Sequence, residues 1–517
     1  MVVSTANAAV KLVRNTLVNG LGTVGAIVIA LILVPFMIDR LGLAAYGVWT
    51  LALTLTVGGG YAALADLGVE GATVRYVAEA SADEDLDAIN TTVSTTLLLF
   101  CAIVAVLAPV AVLLAEPLVS LFGVPEHLRS SAILCFELVG AGIAFELPAR
   151  AFAAVLVGTQ RFPVYQGVEF GRAVLQAALY VLVLLEGWGL GALGGALMAS
   201  SFCILVVYVL LAHRAVDGLR VNPLHSRRSE LRRLMSFGGG VFSLRLLGTI
   251  WRQMDKVIIG VALGPAPVGL YEIANKVFMG AASMGYVSVS AVIPAAAFSR
   301  REPGVLRDMF VRGSCYSAGM ALPFAVAGFI FAKPLLVSWI GPEALPAVEA
   351  VRLLLVYEML SSVQNVGSTM IFGVGMLRVP LIVNTLATLA NLGLSIALVH
   401  PLGFEGVIVG TLIANGLAWP VLLRFYLSAF ETSLGAWFRR VLRPNLVGVA
   451  AQVVASLPLL LLVVDTHSLL LVALAGALSV ASSLLAFVFI GLRGEDRQSL
   501  LDTLGRALGK APREVPV

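Results

Sequence analysis

Charge is scarce in this chain. Only 12% of its 517 residues are Asp, Glu, Lys or Arg, whereas 59% are hydrophobic and the mean hydropathy is +0.97. Soluble domains carry about 25% charged residues. The shortage excludes a large water-exposed domain and makes lipid the expected solvent. Cysteine is equally sparse: Cys101, Cys135, Cys203 and Cys315 all fall inside apolar runs, at no metal-ligand or redox spacing, and read as packing residues. The five histidines are scattered, which removes zinc and histidine-based catalysis. No nucleotide-binding loop is present, so ATP is not a direct energy source. The acidic stretch at 80–87 is a run of consecutive carboxylates without the alternation and glycine of a calcium loop, so no metal is expected there. No cofactor and no nucleic-acid partner are expected.

What is present is a succession of apolar runs bounded by polar residues, glycine or proline. They predict spans near 15–38, 44–66, 91–115, 130–157, 166–186 and 191–213, then 236–262, 268–297, 312–335, 347–375, 379–399 and 405–428, and finally 446–464 and 469–492. The expected fold is therefore an all-α polytopic membrane protein of about fourteen transmembrane helices. Its expected domains are an N-terminal lobe (1–213), a basic cytoplasmic linker (214–235), a C-terminal lobe (236–428), an accessory helix pair (429–492) and a cytoplasmic tail (493–517). Lys11 and Arg14 precede a first run too long for a cleaved signal, so that span is expected to be retained. With both termini inside, most Lys and Arg fall on cytoplasmic segments, and the outer loops hold Arg40, Arg129 and Lys333. The segment 213–234 contributes six arginines, read as a positive-inside anchor or a head-group contact. The tail reads as a short surface helix or a disordered end.

The two halves repeat. Leu41-Gly42 with Gly47-Val48-Trp49 recurs as Leu263-Gly264 with Gly269-Leu270-Tyr271, and Gly158-Thr-Gln-Arg161-Phe-Pro163 recurs as Gly375-Met-Leu-Arg378-Val-Pro380. Gly191, Gly195 and Ala199 match Gly406, Gly410 and Ala414, a small-residue spacing that suits close helix packing. An even helix number per half implies a parallel repeat about an axis along the membrane normal, with a central cavity between two rocking lobes.

These strings carry a resemblance. Gln253-Met-Asp255-Lys256 through Gly260, Leu263-Gly264 and Val268-Gly269-Leu270-Tyr271 with Asn275-Lys276 resemble the seventh and eighth helices of Wzx-type polysaccharide flippases, and Leu41-Gly42 with Tyr46-Gly47-Val48-Trp49 does likewise. Asp66-Leu67-Gly68 and Arg75-Tyr76-Val77-Ala78-Glu79 resemble the family's second helix and the cytoplasmic loop after it. The family sits in the multidrug/oligosaccharidyl-lipid/polysaccharide exporter superfamily. The resemblance implies two six-helix lobes plus two accessory helices, and outward movement of undecaprenyl-pyrophosphate-linked glycans. It implies as partners the lipid-linked glycan, membrane lipids, and the polymerase and glycosyltransferases of the same pathway. The lipid II branch fits less well, because the first span has no charge between Leu17 and Ile38.

Ionisable groups at membrane depth mark cavities, relays or paired contacts. Arg245, Arg252 and Lys256 are seven and four residues apart, on one helical face, and read as a cationic ladder rising about 16 Å. It faces either a pyrophosphate or acidic sugar, or a packing network neutralised by Asp255 and neighbouring carboxylates. Glu146 with Arg150, Glu169 with Arg172, Glu272 with Lys276 and Glu349 with Arg352 are at pairing distance along a helix. The expected substrate-binding residues are thus Arg245, Arg252, Lys256, Lys276, Arg150, Arg172 and Arg352, and the ion-coupling candidates Asp66, Glu137, Glu358 and Asp255. Asn384, Asn391 and Asn415 suit interhelical hydrogen bonds or sugar contact. The outer loops are too short to enclose a saccharide active site, which disfavours a membrane glycosyltransferase or polymerase. A cation-coupled multidrug exporter remains the alternative, and its cationic substrates suit an arginine-lined cavity poorly.

Overall fold

The computed structural model describes residues 29, 31–289, 292, 296, 299, 301–498 and 500. Lys11, Arg14, most of the first expected span and the tail beyond residue 500 lie outside them. Every regular element among the described residues is helical. After a helical stretch at 31–41 come α1 (Leu43–Leu53), α2 (Val69–Ala82), α3 (Leu86–Leu113), α4 (Ala115–Leu121), α5 (Glu126–Gly158), α6 (Phe162–Leu185) and α7 (Gly189–Ala215). Then follow α8 (Arg228–Leu263), α9 (Pro265–Val289), α10 (Pro303–Ile330), α11 (Ala332–Trp339), α12 (Val348–Ser362), α13 (Asn365–Val374), α14 (Arg378–Leu402) and α15 (Glu405–Ala429). The last two are α16 (Leu434–Val463) and α17 (Leu469–Gly491).

Nine helices among the described residues are long and apolar enough to cross a membrane: α3, α5, α6, α7, α10 and α14 to α17. Exposure agrees. Leu461 is 79% exposed, Leu462 75% and Ile490 72%, a surface that water would not tolerate and acyl chains would cover. The protein is an all-α polytopic membrane protein. The other helices miss the threshold because they are short (α1, α2, α4 and α11 to α13), or because polar and charged residues lower their hydropathy (α8, α9).

The chain forms two compact units, Met1–Glu272 and Ile273–Val517. In the first, α5 is the central element, packed by α1 to α4, α6 and α7. In the small-residue motif on α7, a Cβ on Gly191 would lie 2.9 Å from the Leu134 side chain of α5 and one on Gly195 3.7 Å from that of Leu138, while the tightest approach is at Gly194, 2.7 Å from the Cys135 carbonyl oxygen. The segment joining α7 to α8 is no loose tether: the backbone N–H groups of Arg220, Asn222 and Arg227 donate to Asn90, Ser94 and Thr95 along α3. Its last residues, from Arg228, are already in α8. In the second unit α10 is central, and α16 and α17 pack on it through a polar seam. Asn445 donates to the Cys315 carbonyl (3.2 Å) and Gln452 to that of Pro323 (2.7 Å), and Ser456 and Ser479 share a hydrogen bond at 2.7 Å. In lipid such bonds hold helices together where hydrophobic contrast is missing.

The first repeat motif meets its own copy. Gly42 and Gly264 take φ of 79° and 84° immediately before α1 and α9. A Cβ on Gly47 would lie 1.8 Å from the Pro265 carbonyl oxygen, and one on Gly269 2.9 Å from that of Leu43. The contact is reciprocal. Gly47→Ala is expected to cost about 1–3 kcal/mol through backbone displacement, and Gly269→Ala less, which thermal melting of the purified variants would rank.

Candidate functional site

The sequence leads one to expect a continuous second span over 44–66 and a loop at 80–87. The structure differs. The helix stops at Leu53, residues 54–60 turn, and a 3₁₀ segment (Tyr61–Asp66) leads into α2. Gly58-Gly59-Gly60 is the cause, for a Cβ on Gly60 would lie 2.2 Å from the Thr54 carbonyl oxygen. An interrupted helix at membrane depth needs partners for its freed backbone groups. Glu146 of α5 accepts from the Val57 N–H at 2.8 Å, and Gln253 of α8 donates to the Gly59 carbonyl at 2.7 Å. The break is therefore built in and held by one charged and one polar side chain.

A charged network grows from it. Asp66 is buried, accepts from the Gly68 N–H at 2.9 Å, and pairs with Arg245 of α8. Close approach of Gly68 to Gly238 lets α8 reach this bend: a Cβ on Gly68 would lie 2.2 Å from the Gly238 carbonyl oxygen. Glu70, one turn past Asp66, lies 3.8 Å from Arg245 and 3.3 Å from Arg150. Arg172 pairs with Glu169 at 2.5 Å, as expected from their spacing, and Tyr208 donates to the same carboxylate at 2.6 Å. Arg150 does not pair with Glu146 as expected. It reaches across to Glu70, because Glu146 is engaged with Val57 and with the Ser201 hydroxyl at 3.4 Å. Glu146, Arg150, Glu169, Arg172, Ser201 and Tyr208 enclose a void of ≈20 Å³. That is room for about one water molecule.

The upper part of α8 and the start of α9 form a second cluster. Lys256 pairs with Glu272 at 2.9 Å across the Gly264 turn, and the Tyr271 hydroxyl donates to Asp255 at 3.0 Å. Lys276, expected to pair with Glu272, stands half-buried one turn further along α9. Of the three rungs on α8, Arg245 and Lys256 are thus held by carboxylates. Arg252 is exposed and has no ion pair among the described residues.

In the second unit Arg352 pairs with Glu349 at 2.6 Å, as expected. Glu358 is buried, and its Oε1 has no hydrogen-bond partner among the described residues. Glu137, in the first unit, is half-buried on α5. Asn391 serves packing: it accepts from Ser395 (3.0 Å) and Thr411 (3.1 Å) between α14 and α15. Asn384 and Asn415 instead line a groove of ≈140 Å³ with Tyr357, Gln364, Asn365 and Trp419. Amides beside aromatic rings suit neutral hydroxylated ligands.

Sequence reasoning missed Glu70, Tyr208 and the bond of Gln253 to the broken span. Glu70 had a signal, since it stands four residues after Asp66, on the same face if the helix resumes.

Comparison with known families decides the class: residues 40–349, more than half of the chain, match the polysaccharide biosynthesis protein family. The chain belongs to that family. As a polysaccharide biosynthesis protein it is 20% identical over 340 residues to a Shigella flexneri protein named as an O-antigen transporter, a match covering 64% of this chain and 77% of that one. Its fold is shared with the lipid II flippase MurJ in an inward closed conformation, at a TM-score of 0.67 and 13% identity over 91% of this chain and 98% of the other. It is also shared with an inward-facing multidrug resistance MATE family transporter of the MOP superfamily, at 0.60 and 18% over 80% and 94%. This family member is a multi-pass membrane protein, and the solved structures that share its fold are those of transporters and flippases.

Proposed function

We propose that the protein is a flippase that carries a polyprenyl-pyrophosphate-linked oligosaccharide or polysaccharide repeat unit from the cytoplasmic to the outer leaflet of the inner membrane, by alternating access. The observation that carries this reading, beyond family membership, is Arg252. It is a guanidinium on α8, the helix expected as the seventh span, beside the broken second span, exposed and without a carboxylate partner among the described residues. Uncompensated charge at this depth is costly unless a ligand of opposite sign visits it. A diphosphate accepts the paired N–H groups of arginine in parallel. Lys276 and Arg352 are further candidate contacts, and the amide and aromatic groove of the second unit is the candidate saccharide contact. Arg150, Arg172, Arg245 and Lys256 are paired in this conformation, so they would act by exchanging a carboxylate for a phosphate. Glu358, buried with an orphan oxygen, is the preferred proton or cation coupling residue, ahead of Glu137, Asp66 and Asp255. In this orientation both termini and the segment between α7 and α8 are cytoplasmic. Glycosyltransferases and the polymerase of the same pathway would supply and consume the cargo.

One observation favours the multidrug-exporter alternative. Within the paired network at the broken span, Arg252 apart, four acids (Asp66, Glu70, Glu146, Glu169) face three arginines (Arg150, Arg172, Arg245), which suits a cationic guest. Deleting the gene separates the two readings. A flippase loss leaves lipid-linked glycan on the cytoplasmic face and unchanged drug tolerance; an exporter loss lowers tolerance to cationic drugs and leaves glycan display intact.

A further inference from the structure

The second unit carries a basic cavity that the transport reading does not use. Arg307 of α10, Arg439 and Arg440 of the π-helical turn in α16, and Arg493 just after α17 line a hollow of ≈240 Å³ with Asp308 and Thr432. None of the four arginines forms an ion pair among the described residues, and Asp308 is the one acid in the lining. Three segments far apart in sequence are brought together here. Each follows an even-numbered span, so all three lie on the cytoplasmic side in the proposed orientation. Arg312 pairs with Asp496 at 3.4 Å, and Tyr316 donates to the Asp496 carbonyl at 3.1 Å, which fastens the segment bearing Arg493 to α10.

A positive-inside bias alone requires only that arginines lie on one side. It does not require that they surround a space. Mutual repulsion of four guanidiniums around one hollow is relieved by an anion there. The same elements expose Leu434 (61%), Phe438 (47%) and Ile490 (72%), so apolar surface for acyl chains adjoins the basic one. Basic pockets at helix ends on the cytoplasmic side are suited to lipids with more than one phosphate.

We propose that this cavity is a binding site for an anionic membrane phospholipid with a two-phosphate head group, the phosphates held by Arg307, Arg440 and Arg493. The proposal is independent of what the protein transports. Native mass spectrometry of the full chain, purified in detergent and supplied with cardiolipin, phosphatidylglycerol and phosphatidylethanolamine, tests it. The wild type is expected to retain cardiolipin in preference to the others, and R307Q/R440Q/R493Q to lose at least tenfold of that occupancy, while the control R129Q retains it. Equal cardiolipin retention by the triple variant overturns the proposal. If that variant does not fold, thermal melting of the wild type decides. Cardiolipin should raise the midpoint more than phosphatidylglycerol or inorganic pyrophosphate does. No rise with cardiolipin, or an equal rise with pyrophosphate, overturns the lipid assignment, the latter because the site would then read any diphosphate.

Discussion

Replacing Arg252 with Gln should reduce glycan export by about 10- to 100-fold while leaving the protein folded in the membrane. The magnitude follows from the loss of a charge-assisted hydrogen bond to phosphate, worth about 1.5–3 kcal/mol, at 1.4 kcal/mol per decade. The stability half follows from the structure: Arg252 is exposed and has no ion pair among the described residues, so its removal strands no carboxylate among them. Substitutions of that kind usually stay within about 0.5 kcal/mol. Arg252→Lys should fall between, because an ammonium keeps the charge and loses the planar fork. Lys256 needs different handling, since Lys256→Gln alone would take a cation away from the buried carboxylate of Glu272. The informative variant is K256Q/E272Q, which removes both charges. Export and melting of R252Q, R252K and K256Q/E272Q, measured together, separate a substrate contact from a structural pair. A variant R252Q with wild-type export would remove Arg252 from the site.

Asp66→Asn should have the opposite signature, a large loss of stability. Asp66 is 1% exposed, caps the Gly68 N–H and pairs with Arg245. Breaking one side of such a pair leaves a charge uncompensated, at a cost of about 3 kcal/mol, the lower end of the range because Arg245 is one-third exposed. The double variant D66N/R245Q should recover part of this, because the guanidinium left with only the more distant Glu70 is gone. Glu70 keeps the recovery incomplete, since it loses one of its two arginine neighbours. Melting midpoints of the two single variants and the double variant give the coupling. Strict additivity would mean that the contact contributes nothing.

The all-helical class and nine of the expected spans were legible from apolar run length, because in lipid length and hydropathy are set by bilayer thickness, whereas the expected span 347–375 is divided into α12 and α13. The repeat motifs were legible too, since a left-handed glycine such as Gly42 or Gly264 and a close contact such as Gly47 admit few alternatives. The broken second span was not. Residues 54–60 are apolar or small, so hydropathy continues the span through Gly58-Gly59-Gly60, and the partners that satisfy the break, Glu146 and Gln253, lie far away in sequence. For the same reason Glu70, four residues past the expected end of that span, carries no expected role. Charge pairing was half legible. Pairs three residues apart on one helix, Glu169 with Arg172 and Glu349 with Arg352, were recoverable from spacing. Arg150 with Glu70 and Lys256 with Glu272 depend on which helices meet, and no local pattern records that. The cationic ladder consequently reduces to one open rung in this conformation.

The most direct test of the account is a translocation measurement on the purified protein in liposomes, with a polyprenyl-pyrophosphate-linked oligosaccharide placed in both leaflets and a membrane-impermeant glycosidase added outside. Wild-type protein should render the inner-leaflet glycan accessible to the enzyme, R252Q should do so far more slowly, and a cationic dye should not compete. Inner-leaflet glycan that stays as protected as in protein-free liposomes, under every ion gradient applied, would contradict the assignment as a flippase.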